Sequence, residues 1–294
     1  RSFDLAVVGA GIVGLAHALA AARRGRRVVV FDREAEAIGA SVRNFGFVTV
    51  TGQAAGETWR RALRTRDVWD EVAPAAGIGV EQQGLLLAAR RPEAMAVLEA
   101  FARTEMGEAC TLLSPNEATA RMPALRAEAL EGALWSPHER RVESRTAVPR
   151  LARWLEQAHG VVFHRSTHVR AAEGGRLETT RGTFRAERIV ICPGDERLAL
   201  CDARIRALGI SRVRLHMLKV MPAAPVPRLD AAVMSDLSLA RYVGYAALPE
   251  AQALARRLER EEAAKLAQGI HLIAVQGARS EEHTSELQSL LIIS

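Results

Sequence analysis

The chain has 294 residues, enough for two domains with sizeable cores, and its 49% hydrophobic content with mean hydropathy near zero excludes a disordered or fibrous chain. The net charge of +6 and pI of about 10 invite a nucleic-acid reading. However, the basic residues are arginines scattered among acids, with lysine only at Lys219 and Lys265, and a G+C-rich coding bias accounts for that more simply. Cys110, Cys192 and Cys201 are odd in number and form no C-x-x-C pair, which argues against a disulfide framework or a zinc site and for a reducing, cytoplasmic compartment.

The chain opens on FDLAVVGAGIVGLAHALAAARRGRRVVVFDR, residues 3–33. Leu5–Val8 reads as a short buried strand, Ile12–Arg24 as a helix closed by Gly25, and Val28–Phe31 as a second strand ending on Asp32. Between the first strand and the helix, Gly9, Gly11 and Gly14 form G-x-G-x-x-G. Gly9 allows a tight turn, Gly11 lets a pyrophosphate approach the backbone, and Gly14 lets the helix pack on the sheet. The helix N-terminus offers free N–H groups and a positive dipole end to phosphates. Asp32, about 20 residues on, is placed to accept hydrogen bonds from ribose hydroxyls. Strand, helix and acid together make this a dinucleotide fingerprint rather than a stray glycine turn. The Ile12–Ala22 run follows a strand and not a basic leader, so it does not read as a signal peptide.

Beyond Asp32, Gly39–Ser41 reads as a loop and Phe47–Val50 as β-like; Ser41, Arg43 and Asn44 are polar groups within reach of phosphates. Helices are expected at Thr58–Val72, Glu93–Arg103 and Val148–His159, with a short one opened by a Ser114/Glu117 capping box. Strands are expected at Leu85–Ala88, Leu134–Ser136 and Val161–His164. The stretch 169–194 reads as three strands joined by glycine turns, the last, Arg188–Cys192, ending on Pro193-Gly194. Val213–Val220, Ala231–Met234 and Ile270–Val275 are further strands, and Pro249–Ala267 is a long amphipathic helix. No apolar run approaches the ~20 residues that span a bilayer.

The opening segment with its VVVFDRE continuation, the GASVRNFG loop at 39–46 and the RIVICPG strand at 188–194 together resemble FAD-dependent oxidoreductases of the glycine oxidase and D-amino-acid oxidase superfamily. The stretches SPHERRVESR, RLHMLKV, SDLSLARYVGYAALP and GIHLIAVQ look closer to a bacterial subgroup associated with aminophosphonate breakdown. The resemblance implies an α/β protein: a discontinuous Rossmann-like FAD-binding domain (1–78 and 142–210) with a second, mixed-sheet substrate domain (79–141 and 211–278). It implies FAD held by Gly9, Ala10, Gly11, Ile12, Val13 and Gly14, by Asp32 with Arg33 beside it, by Ala40, Ser41 and Asn44, by Val169 through its backbone, and by Pro193 and Gly194. Met217, Arg241 and Tyr242 fall in the segments that would face substrate; an arginine there suits a carboxylate or phosphonate, although a surface or structural role for Arg241 serves as well, and Tyr242 reads as packing before substrate clamp. No metal is implied and no catalytic acid or base is named, because in this family the flavin carries the chemistry and the protein orients the substrate. His138, His164, His168 and His216 are read as core or solvated.

The implied reaction is oxidation of a small amine, amino acid or aminophosphonate by hydride transfer to flavin, giving an imine that hydrolyses, with O₂ or another acceptor reoxidising the flavin. The alternatives are a dehydrogenase passing electrons to a membrane quinone and an inactive truncated fragment. No nucleic-acid partner is expected. RSEEHTSELQS at 279–289 resembles a translated sequencing adapter, so residues 279–294 are expected to be non-native and Leu290–Ile293 to be an apolar stretch without a partner. The absence of an initiator Met suggests that a few residues precede Arg1.

Overall fold

A computed structural model describes residues 2–194, 200–210, 216–220, 225–277 and 287–291. In chain order the elements are β1 (Phe3–Val8), α1 (Ile12–Ala22), β2 (Val28–Phe31), β3 (Phe47–Val48), α2 (Glu57–Ala75), β4 (Val80–Ala89), α3 (Pro92–Ala102), β5 (Thr111–Leu113), α4 (Pro115–Arg121), β6 (Gly132–Val142), α5 (Ser144–His159), β7 (Val162–His164), β8 (Val169–Glu173), β9 (Arg176–Thr179), β10 (Gly182–Ile191), α6 (Asp202–Ala207), β11 (His216–Val220), β12 (Ala232–Met234), α7 (Asp236–Arg241), α8 (Val243–Ala246), α9 (Ala251–Glu261), α10 (Ala263–Ala267), β13 (Leu272–Gln276) and β14 (Leu287–Leu291). The fold is mixed α/β with two sheets, and the chain divides into two units: residues 1–44, 72–79 and 144–212, and residues 45–71, 80–143 and 213–294.

The first unit carries a six-stranded sheet in the order β7-β2-β1-β10-β9-β8. Strands β7, β2, β1 and β10 run parallel, β7 at the edge, and all four residues of β2 are buried, as expected of a parallel strand covered on both faces. β10 does two jobs. Over Gly182–Arg185 it pairs antiparallel with β9, and from Ala186 to Ile191 it pairs parallel with β1. The expected strand Arg188–Cys192 is therefore only its second half. One core cluster here is Ala6, Val29, Phe31, Val169, Leu177 and Ala186.

The second unit carries an eight-stranded sheet, β11-β14-β13-β12-β4-β6-β3, with β5 beside β6. Its core packs Leu85, Leu87 and Leu134 from the strands against Val97, Leu98 and Phe101 of α3, Tyr245 of α8 and Leu254 and Leu258 of α9. The capping box of α4 forms as the sequence dictates: Ser114 Oγ accepts from the Glu117 amide, and the Glu117 carboxylate accepts from the Ser114 amide.

Several expectations change. Strand β6 does not stop before Pro137 but runs to Val142; the proline sits exposed in an irregularity where the register shifts from Leu85↔Ser136 to Gln83↔Arg140, the kind of place a strand tolerates it. Helix α5 begins four residues before Val148, its start held by Ser144 Oγ donating to Asn44 O at 2.5 Å. The long helix at 249–267 is two, α9 and α10, parted at Glu262. There Glu261, Glu262 and Asp236 converge on Arg91 at 2.8, 3.0 and 2.8 Å, and that tertiary cluster outweighs the local pattern. Leu290 and Leu291 do have a backbone partner, because β14 lies between β13 and β11 in antiparallel register. Among the described residues no helix is long and apolar enough to cross a membrane.

Candidate cofactor site

The C-terminal ends of β2, β1 and β10 meet at Gly9. Its amide donates to Phe31 O at 2.8 Å, and the Cys192 amide donates to Val8 O at 2.7 Å. A Cβ on Gly9 would lie 2.2 Å from Cys192 O, and its φ of +106° belongs to glycine. A Cβ on Gly14 would lie 1.9 Å from Gly9 O, so the first turn of α1 rides directly on the glycine turn. Gly11 differs: among the described residues only the Ser41 side chain, its Oγ at 3.0 Å, stands near the missing Cβ. Gly11 is the N-cap of α1 and offers no side-chain cap; instead the Ile12 amide donates to Ser41 Oγ at 3.0 Å. The sequence-predicted glycines and Ser41 are thus brought together at one helix start, where first-turn N–H groups have no intrahelical partner.

Asp32 closes the other side. Its Oδ2 accepts from the Ala10 amide at 2.7 Å and its Oδ1 from the Glu34 amide at 2.9 Å, which fixes the carboxylate against the glycine turn with further lone pairs free. The Thr167 amide donates to Asp32 O at 2.8 Å and the Ser166 amide to Glu34 O at 3.1 Å, so the segment entering β8 is tied to the end of β2. Ser166 adopts φ +50°, rare for a serine and held there by these bonds. Val169, buried at 6% exposure, follows at once.

Together these elements wall a cleft with a cavity volume of about 180 Å³. Of the predicted residues, Gly9, Gly11, Asp32, Arg33, Ala40, Ser41, Val169, Pro193 and Gly194 line it. Arg33 also pairs with Glu34 at 3.2 Å. Ala10, Ile12, Val13 and Gly14 are not among its lining residues, and the Val13 side chain is exposed. Asn44 is turned into its own loop, its amide donating to Ala40 O at 2.8 Å and Ser41 O at 3.1 Å. Sequence reasoning missed Thr167, His168 and Cys192, which also line the cleft. Cys192, between the predicted strand end and Pro193, was within reach of that reasoning; Thr167 and His168 arrive through the Asp32 backbone bond, which has no sequence signal. A cleft at the carboxyl edge of a parallel sheet, with an open glycine backbone, a helix start and a fixed carboxylate, fits a dinucleotide such as FAD.

The residues predicted to face substrate lie in the second unit. Arg241, exposed at the end of α7, donates to Gly269 O at 3.3 Å. Tyr242 packs edge-on to His271 with ring centroids 5.6 Å apart, and burial raises its pKa. Met217 is in β11, but its side chain falls outside the described residues. Among the described residues no group of three or more His, Cys, Asp or Glu side chains is disposed to hold a metal.

His138 and His271 are held neutral. Arg66 Nη1 donates to His138 Nδ1 at 2.7 Å, which requires the proton on Nε2. Burial, then the charges of Arg66 and Arg140, brings the His138 pKa down to about 4, and burial, then Arg241, does the same for His271. Between pH 6.5 and about 4 the unfolded chain binds protons that the folded one refuses, so the stabilisation is whole above 6.5 and declines as pH falls. Thermal melts are expected to lose on the order of 2–3 kcal/mol per histidine across that window. A flat profile from pH 7 to 4.5 in the double His→Gln variant and a sloping one in the parent is the expected contrast. Equal slopes count against it.

A sequence profile of the family described as FAD dependent oxidoreductase matches residues 4–254. The glycine oxidase of Geobacillus kaustophilus (strain HTA426) is 30% identical over 247 residues, 79% of this chain and 65% of that protein, so the chain spans about 65% of the length of this curated relative. The crystal structure of glycine oxidase from Geobacillus kaustophilus superimposes with a TM-score of 0.63 at 23% identity, covering 100% of this chain and 73% of that one. L-proline dehydrogenase from P. horikoshii superimposes at 0.69 and 17% identity, covering 99% and 70%; at these identities the two structures speak for the fold.

Proposed function

The chain belongs to the family of FAD-dependent oxidoreductases, and from that premise we propose that the whole protein oxidises a small amine, amino acid or aminophosphonate by hydride transfer to FAD, as an amino-acid oxidoreductase similar to glycine oxidase. The observation that carries the reading is the convergence of Gly9, Gly11, Ser41, Asp32 and Val169 on one cleft. The first unit then serves as the FAD-binding domain and the second as the substrate domain.

Each side chain has a definite task in this reading. Gly11 keeps the backbone bare where the pyrophosphate rests, with the amides of Ala10, Ile12, Val13 and Gly14 around it. Asp32 accepts from the ribose hydroxyls, Arg33 and Ser41 face phosphate, and the Val169 backbone meets the adenine. Ala40, Asn44, Pro193 and Gly194 shape the path toward the ring system. When bound, FAD supplies the two-electron acceptor that none of these residues provides. Substrate recognition falls to the second unit, with Arg241 offering the remaining N–H groups of its guanidinium to a carboxylate or phosphonate, Tyr242 next to it in the chain, and Met217 on β11 of the same unit.

Asp32→Ala is expected to weaken FAD binding by about 10–100-fold, because it removes charge-assisted acceptors from the ribose and the anchor of the Ala10 amide. Titration of the apoprotein with FAD measures this, and unchanged affinity sinks the assignment. The reaction itself is tested by anaerobic addition of glycine, sarcosine or an N-methyl aminophosphonate to the yellow protein. Bleaching by one or more is expected; a flavin that none of them bleaches counts against amine oxidation. Oxygen uptake with and without added membranes then separates O₂ from a membrane acceptor.

A further inference from the structure

The first sheet has a second concave surface, lined by the starts of β1 and β2, by β7 and by the first half of β10. It runs across β7, β2, β1 and β10, about 14 Å over three strand spacings, and shares no lining residue with the cofactor cleft. Its wall is aromatic. Phe184 and His164, with ring centroids 4.8 Å apart, form a corner braced from behind by Phe31, and Phe3 lies alongside. Its rim is basic: Arg26 and Arg27 come from the turn after α1, and Arg185 from the antiparallel half of β10. Arg27 is partly offset by Asp4, 3.1 Å from its Nη2. Arg26 and Arg185 are exposed and make no ion pair among the described residues. Among the described residues no carboxylate lines the groove itself; Asp4, beside Arg27, is the acid whose charge also reaches Arg26.

Cations on the rim and π-faces on the wall are the two elements that grip a base and its phosphates without reading sequence. We propose that this groove binds the base and phosphate groups of a nucleotide, free or within a single strand, at a site separate from the cofactor cleft. The sequence does not show it. RRGRR at 23–27 is a short run in an arginine-rich chain, and only the fold sets Arg185 and the aromatic corner beside it. The claim stands independently of the oxidase reading.

The test uses the full chain saturated with FAD, so that the first cleft is filled. Anisotropy of a labelled oligothymidylate is read against salt, with ADP, inorganic pyrophosphate and polyglutamate as competitors. Binding that falls steeply with salt is expected. Arg26→Glu with Arg185→Glu is expected to weaken it about tenfold or more, and Phe184→Ala about fivefold or more while leaving pyrophosphate competition unchanged. If the charge reversals lose the flavin spectrum, Arg26→Gln with Arg185→Gln carries the same test. Competition by ADP matching the oligonucleotide assigns a free nucleotide, and much weaker competition assigns a strand. No binding, binding indifferent to all the substitutions, or polyglutamate competing as well as the oligonucleotide overturns the proposal.

Discussion

Gly9→Ala is expected to yield protein without flavin and to cost on the order of 3–5 kcal/mol of stability. Three constraints meet at this residue. Its φ of +106° strains any L side chain, the new methyl would sit 2.2 Å from Cys192 O, and the same peptide supports Gly14 from below. The obstruction is backbone, so no rotamer change relieves it; the ends of β1 and β10 must part, and these ends wall the cleft. Gly25→Ala is the matched control. Gly25 also has positive φ, +70°, but nothing stands within 4 Å of its missing Cβ. That substitution is expected to cost about 1 kcal/mol and to leave flavin binding intact. Visible absorbance of the purified variants and their melting midpoints decide the matter. If Gly9→Ala keeps its flavin and melts beside Gly25→Ala, the glycine turn is not the keystone of the cleft.

What could be read from the chain before folding follows a physical division. The first 33 residues were legible because their signals are local: β2 is a continuous apolar run, the glycines sit at fixed spacing, and Asp32 ends the strand. The Ser114 capping box was legible for the same reason, since both of its bonds join residues three apart. Legibility failed wherever a distant partner decides. β6 continues past Pro137 because β4 accommodates the irregularity, α5 starts at Ser144 because Asn44 O receives its hydroxyl, and α9 ends where Arg91 collects three carboxylates. In the cleft, Asp32 announced itself, while Thr167 is placed by the Asp32 carbonyl, from a residue 135 positions away. Asn44 carries a local commitment that its polarity did not announce: its side-chain amide donates to the loop's own carbonyls, Ala40 O and Ser41 O.

The largest effect in the second unit is expected at Glu139, a residue that the sequence reading gave no role. It is fully buried on β6, and its Oε1 accepts from the Val50 amide at 3.3 Å, the Thr51 amide at 2.7 Å and Thr51 Oγ1 at 2.7 Å. Among the described residues its Oε2 and the hydroxyl of Tyr245, both buried, have no hydrogen-bond partner of good geometry, although Thr51 stands close enough to the hydroxyl to act on its pKa. The two groups are close enough that the Glu139 charge, after burial itself, pushes the Tyr245 pKa up. Glu139→Ala leaves three core donors unsatisfied at once, and a loss of about 3–5 kcal/mol is expected. Glu139→Gln keeps the acceptor at Oε1 and replaces the unpartnered Oε2 with a neutral amide. It is expected to fall within about 1 kcal/mol of the parent, because it also removes a buried charge. Thr51→Val, which deletes one of the three donors with its bond, is expected to cost about 1 kcal/mol. Urea midpoints rank the three variants. Hydrogen exchange locates the cause, since the Val50 and Thr51 amides lose protection in the alanine variant and keep it in the glutamine one. A glutamine variant as unstable as the alanine one would mean that the carboxylate's charge, and not its role as acceptor, holds this segment to the sheet.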